Sequence, residues 1–231
     1  MLKKNYKYLI MKKILLSIFT VSILGSGISQ AVSDRNTIPV AVNLNRVLRM
    51  SVNTGGNIEF TFNTIQQYKD GISGDGNNGA TPPVANPGNP MYVTSFTIAA
   101  STKWELAYGA EDATFIGVDN PGNLTFLLNN VGFSLASLGA HAFGTELISA
   151  PTNAGVEVAA LQVYPIALIT DGGNAAANAG DKTDNEFTMT WRCGTAESTL
   201  LTTPMNQVKL IEQGITPDRF VTNVLFNLIA L

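Results

Sequence analysis

Short runs in which apolar and polar residues alternate recur along most of this chain. In the clearest run, Phe187, Met189, Trp191 and Cys193 alternate with polar side chains. A period of two places successive side chains on opposite faces of a β-strand, so one face of each run is expected to be buried. Because Gly, Asn and Pro separate the runs, the pattern predicts an all-β protein built as a two-sheet sandwich or a barrel. The other predicted strands are 38–44, 48–52, 58–62, 92–98, 104–108, 124–128, 131–135, 156–168 and 220–231.

Helical signals and low-complexity segments are few. Residues 64–69 and 206–213 are the two candidates for a short helix. The Gly- and Asn-rich segments 71–90 and 171–185 lack the apolar residues of a core, so both are expected to be long surface loops.

The first residues are typical of a secretory signal peptide. Lys12 and Lys13 precede the apolar run 14–24, and small residues follow it up to Ala31. The run is too short to cross a bilayer, so we expect cleavage after residue 31 and one sandwich domain over 32–231. No later stretch is predicted to form a transmembrane helix. The expected location is secreted: the periplasm, the outer surface or the exterior of a Gram-negative-like bacterium.

Signal removal changes the charge balance. It takes five lysines from the 14 cations and none of the 17 acids, which leaves a net charge of −8. This charge argues against nucleic acid and anionic lipid as partners. Cys193 is the only cysteine. It cannot form an intrachain disulfide, and we expect its thiol to lie in the core.

The sequence offers no catalytic constellation. His141 is the only histidine, so neither a zinc cluster nor a second imidazole is available. No Gly-x-Ser-x-Gly segment surrounds a candidate nucleophile. We therefore expect a protein that is not an enzyme.

Calcium is the one cofactor for which the loops offer ligands. Asp75 and Asn77 lie in one Gly-rich loop, and Asp171 and Asp181 lie in the other. Carboxylate and amide oxygens are ligands that calcium prefers. The same residues also favour turns in the absence of any metal. No other cofactor is expected.

The last predicted strand has two apolar faces. One face carries Phe220, Val224 and Phe226 and is expected to face the core. The other carries Leu225, Ile229 and Leu231, interrupted by two asparagines. A face in contact with water should be more polar, so this second face is predicted to be covered by loops of the chain or by a partner.

Both ends of the predicted domain resemble a known class of proteins. The segment TPDRFVTNVLFNLIAL, residues 216–231, resembles the closing strand of bacterial secreted immunoglobulin-like sandwiches, which include fimbrial subunits. The segment IPVAVNLNRVLRMSV, residues 38–52, resembles their opening strand. This resemblance implies an immunoglobulin-like antiparallel β-sandwich. The opening segment also looks like the donor strand with which such subunits complete a neighbour's sheet, because its apolar residues alternate: Ile38, Val40, Val42 and Leu44.

Three functional hypotheses follow. The first is a non-catalytic structural or adhesive surface protein, such as a fibre subunit, that binds copies of itself or other surface proteins through its end strands. The assembly residues would be Ile38, Val40, Val42, Leu44, Leu225, Ile229 and Leu231. The second is an extracellular module that binds carbohydrate or another ligand through its two long loops, with or without calcium. The third, an outer-membrane β-barrel, is less favoured because the runs are short and lack aromatic residues at their ends.

Overall fold

The computed structural model describes residues 39–74, 92–137, 141, 158–171, 178–197 and 203–231. The predicted signal peptide lies outside these residues. The described residues form eleven strands, one α-helix and two 3-10 turns. The strands are β1 (Leu48–Thr54), β2 (Ile72–Ser73), β3 (Val93–Ala100), β4 (Trp104–Ala110), β5 (Ile116–Gly117), β6 (Val131–Ser137), β7 (Ala159–Ala160), β8 (Ile166–Ile169), β9 (Glu186–Cys193), β10 (Phe220–Val221) and β11 (Val224–Ala230). The helix is α1 (Ile65–Asp70), and the 3-10 turns are Leu128–Asn130 and Leu210–Glu212.

The chain divides into two units, Met1–Leu44 and Asn45–Leu231. In the first unit, the described residues 39–44 have no regular secondary structure. The strand predicted over 38–44 is therefore not formed in its described part. The second unit contains every described strand and the helix.

The strands form antiparallel sheets that pack as a sandwich. The larger sheet has the order β1-β3-β9-β6-β7, with β2 paired to one end of β9. A three-stranded sheet has the order β11-β4-β8, and β10 pairs with β5. The prediction of an all-β antiparallel sandwich is confirmed.

Aromatic side chains fill the space between the larger sheet and the three-stranded sheet. The ring centroids of Phe96 on β3 and Phe226 on β11 are 5.7 Å apart. Trp104 on β4 meets Phe187 on β9 edge-to-face at 6.1 Å, and Tyr108 meets Phe133 on β6 at 5.2 Å. Such pairs add about 0.5–1.5 kcal/mol each beyond the apolar area that they bury. These contacts hold the two sheets face to face.

Two predicted strands of the second unit do not form ladders. In 58–62, the apolar side chains are half-buried against the core and the polar ones between them are exposed, as in a strand. No described strand pairs with this segment. Residues 124–128 likewise form a bridge and a turn rather than a strand. Alternation reports which side chains are buried, whereas a strand also needs a neighbour that accepts its backbone hydrogen bonds.

Both helix predictions mark real turns of helix. Thr64 caps α1, because its hydroxyl accepts a hydrogen bond from the Gln67 backbone N–H while the Gln67 side chain returns to the cap. In 206–213, only the 3-10 turn Leu210–Glu212 forms. Among the described residues, no helix is long and apolar enough to span a membrane.

A buried ion pair lies on the outer face of β9. Arg192 Nη1 contacts both carboxylate oxygens of Glu197 at 2.8 and 2.9 Å, and Arg192 Nη2 donates to the hydroxyl of Ser134 at 3.1 Å. The two charged side chains are 1% and 8% exposed. Thr195 donates a further hydrogen bond to Glu197. The cluster therefore fixes residues 194–197 against the central strand of the larger sheet.

We expect Glu197→Gln to lower the free energy of unfolding by about 3–5 kcal/mol, because it removes the negative charge that contacts the buried Arg192 guanidinium. The matched control is Glu59→Gln, which breaks the exposed pair between Glu59 and Arg219 and should cost less than about 1 kcal/mol. Urea titrations of both variants measure the difference. Equal losses in the two variants would contradict this account of the cluster.

Candidate functional site

Strand β11 has one half-buried face and one exposed face. Its inner face packs against the core, and Phe226 contacts Phe96 there, as predicted. On the outer face, Leu225, Ile229 and Leu231 are 38–47% exposed. The sequence left loops or a partner as alternative covers for this face. The described residues of the chain leave the outer face of β11 open to solvent.

One edge of β11 has no partner strand among the described residues. β11 pairs with β4 on one side only and is the end strand of its sheet. The N–H of Glu111 donates to the carbonyl of Asn223, and the N–H of Leu231 donates to the carbonyl of Lys103. These bonds place the odd-numbered residues of the strand in hydrogen bonds with β4. The backbone groups of Val224, Phe226, Leu228 and Ala230 therefore point toward the open edge.

The other predicted assembly residues lie near the start of the described chain. Val40, Val42 and Leu44 are 75–91% exposed, and Ile38 lies outside the described residues. The structure thus leaves the apolar side chains of this segment accessible, but it gives them no strand geometry. Their role in assembly stays a prediction.

A groove of about 810 Å³ runs beside β10. Residues 57–62 form one wall, and residues 210–223 contribute the other. The rings of Phe126 and Phe220 stack at 5.2 Å, and Phe115 meets Phe126 edge-to-face at the same distance. A smaller cavity of about 370 Å³ adjoins it and shares several lining residues, including Ile58 and Phe60. The groove is therefore partly aromatic and open to solvent.

Two carboxylates organise the polar rim of this groove. Glu59 and Arg219, one from each wall, form an ion pair at 3.0 Å. Asp218 accepts hydrogen bonds from the backbone N–H groups of Asp119, Arg219 and Asn120. The bond from Asp119 and then those from Arg219 and Asn120 hold the pKa of Asp218 below its ordinary value. Asp218 thereby ties the loop after β5 to the strand segment that begins with β10.

The predicted calcium ligands do not converge in the described residues. Asp171 forms an ion pair with Lys103 at 2.8 Å. Asp181 accepts hydrogen bonds from the hydroxyl and the N–H of Thr183, which lower its pKa. Asp75 and Asn77 lie outside the described residues. No group of three or more His, Cys, Asp or Glu side chains that could hold a metal occurs in the described parts of the chain. Calcium binding stays a prediction.

The two residues with the most reactive side chains are engaged in packing. His141 Nε2 lies 2.9 Å from Asn185 Oδ1, and its ring lies 4.9 Å from that of Phe187. Cys193 is buried, as predicted, and burial raises the pKa of its thiol. That the protein is not an enzyme also stays a prediction.

The sequence did not indicate the groove. Its walls come from segments about 150 residues apart in the chain, and its floor comes from Phe115 and Phe126. The one signal that bore on it was the alternation in 58–62, which marked the right side chains as half-buried. Four other large aromatic side chains are buried in the core: Tyr92, Trp104, Tyr108 and Trp191.

The chain matches no model of a protein family, and no curated protein is significantly similar to it.

The hydrogen bonds that Asp218 accepts predict that the stability of the fold depends on pH. The pKa of Asp218 is lowered in the folded state, so its ionised carboxylate stabilises the fold. This stabilisation is fully present above the pKa of the unfolded chain, about 3.9, and is lost as the pH falls through the pKa of the folded state. We expect Asp218→Asn to be less stable than the wild type at about pH 6, and equally stable near pH 2. Urea midpoints at both pH values measure this. Asp119→Asn is the control, because the Asp119 carboxylate accepts none of these bonds; a pH-independent deficit in Asp218→Asn would contradict the prediction.

Proposed function

We propose that this protein is a non-catalytic structural or adhesive protein, secreted or held at a bacterial surface, that associates with copies of itself. The observation that carries the proposal is the exposed apolar face of β11. Leu225, Ile229 and Leu231 lie on one outer face of a strand that is also the end of its sheet. Exposed apolar side chains and an unpaired strand edge in one place favour association with another polypeptide.

The segment near the start of the described chain supports the same proposal. Val40, Val42 and Leu44 repeat at a spacing of two, so in an extended conformation they share one face. All three are exposed. Apolar side chains in such a segment lose contact with water when a second polypeptide covers them.

The charge of the chain limits where association occurs. The chain that remains after the expected signal cleavage has a net charge of −8, so copies repel one another over most of their surface. Residues 220–231 contain no charged side chain. Two copies that approach along this segment therefore bring no like charges of the segment itself together.

We expect Leu225→Thr with Ile229→Thr to weaken self-association by about tenfold or more. Each apolar side chain loses about 1.5–3 kcal/mol of burial, and 1.4 kcal/mol is a factor of ten. Threonine keeps the β-propensity of both positions, so the fold should be retained. Light scattering of the secreted chain over a range of concentrations measures the mass, and negative-stain images show whether filaments form.

Val118→Thr is the matched control, because Val118 is similarly exposed but lies in a loop. A second variant, Val40→Thr with Val42→Thr and Leu44→Thr, tests the other end. A wild-type chain that stays monomeric at every concentration would refute the proposal. A β11 variant that associates as strongly as the control would remove its main support.

The groove favours a second candidate function, a module that binds an extracellular ligand such as a carbohydrate. Its aromatic rings offer apolar surfaces on which a sugar ring can stack, and Asn57, Glu59 and Arg219 offer polar groups at the rim. Pockets of this kind combine an apolar lining with a few polar groups.

A glycan array with and without calcium tests this candidate. Binding that Phe220→Ala abolishes, and that the Val118→Thr control retains, would support the groove as the site. No binding in either condition would remove this candidate function.

A further inference from the structure

We infer that two copies of the chain join edge to edge through β11, antiparallel and in the register that places Asn227 opposite Asn227 of the second copy. This inference rests on the proposed self-association and specifies its geometry. The two three-stranded sheets would then form one continuous six-stranded sheet across a twofold axis. Contacts of this type are isologous, since the same strand serves both partners.

The open edge of β11 determines which residues can form the new hydrogen bonds. Because the odd-numbered residues bond to β4, the backbone groups of Phe226 and Leu228 point toward the open edge. With Asn227 on the axis, Phe226 of one copy lies opposite Leu228 of the other, and this pair exchanges both of its backbone hydrogen bonds. Val224 pairs with Ala230 in the same way. No described strand pairs with this edge, and all four of its residues are half-buried rather than buried.

The side chains of β11 are complementary to themselves in this register. On the outer face, Leu225 lies opposite Ile229 of the second copy, which covers apolar side chains that the single molecule exposes. Asn227 and Asn227 of the second copy form a non-hydrogen-bonded pair, the type in which opposite side chains are closest. The Asn227 amide nitrogen donates one hydrogen to Tyr164 at 3.1 Å, and the second hydrogen and the carbonyl oxygen are the groups with which the two amides can bond to each other.

Charge favours a second copy as the occupant of this edge. Strand edges are usually protected from like strands by charged side chains, above all lysine. β11 carries none, whereas the neighbouring β4 carries Glu105. A second β11 therefore meets no like charge along the whole ladder, although the chains repel one another elsewhere.

Engineered cysteines test the register. In a pair without backbone bonds the Cα atoms are about 4.5 Å apart, within the range that a disulfide spans. We expect Asn227→Cys to form a disulfide-linked dimer under mild oxidation, seen on a non-reducing gel and by mass spectrometry. Leu231→Cys is the matched control, because that position is exposed on the same face but lies far from its own copy in this register. Native Cys193 is buried and should not react.

Mixed samples add a second constraint on the same geometry. Leu225→Cys and Ile229→Cys should each stay uncross-linked alone and should cross-link when mixed, since these two positions lie opposite each other. Oxidation of Asn227→Cys mixed with Val42→Cys tests the competing arrangement, in which residues 39–44 of a second copy occupy the edge.

The outcomes separate the inference from the function on which it rests. A dimer with Asn227→Cys and with the Leu225 and Ile229 mixture, but not with Leu231→Cys, supports the inference. If light scattering shows association but Asn227→Cys does not cross-link, or cross-links only to Val42→Cys, the inference is overturned while self-association stands. If the wild-type chain is monomeric, both fail.

Discussion

The aromatic contacts between the sheets are the interaction on which the rest of the structure depends. Phe96 with Phe226, Trp104 with Phe187 and Tyr108 with Phe133 each join the larger sheet to the three-stranded sheet. The only cysteine is buried in the same core, so no intrachain disulfide supplements this packing. Because β11 supplies Phe226 to the core, its inner face is held against the larger sheet and its outer face points away from it. Among the described strands, β11 pairs with β4 alone, so its other edge is open.

The strands that were predicted well are those whose two faces differ most. In β9, Phe187, Met189 and Trp191 face the core and the residues between them do not, so alternation alone located the strand. The segment 58–62 alternates as clearly, yet it forms no ladder. Its pattern reports burial against the core, whereas the ladder depends on a neighbour from a distant part of the chain. The order β1-β3-β9-β6-β7 is of the same kind, because no local pattern specifies which strand lies beside which.

The candidate site was only partly predictable, because the sequence pattern shows which side chains are apolar but not which segments lie side by side. The apolar outer face of β11 follows from Leu225, Ile229 and Leu231 alone, and the sequence indicated that it needed a cover. The open edge beside it depends on which strand pairs with β11, and the groove depends on residues 57–62 meeting 210–223. At Asp181, an oxygen-rich side chain in a Gly-rich loop indicated calcium, which stays a prediction. The sequence did not indicate that this carboxylate accepts hydrogen bonds from the N–H and hydroxyl of Thr183.

Residues 57–62 also bear on how the folded protein opens. This segment is held by the half-buried side chains of Ile58, Phe60 and Phe62, and no hydrogen bond joins its backbone to another described part of the chain. Local opening there breaks only side-chain contacts, whereas opening β3 or β9 breaks ladders on both sides. Amide hydrogens of this segment should therefore exchange with solvent orders of magnitude faster than those of the central strands. A wall of the groove that is ordered by its side chains alone can move without unfolding the sheets behind it.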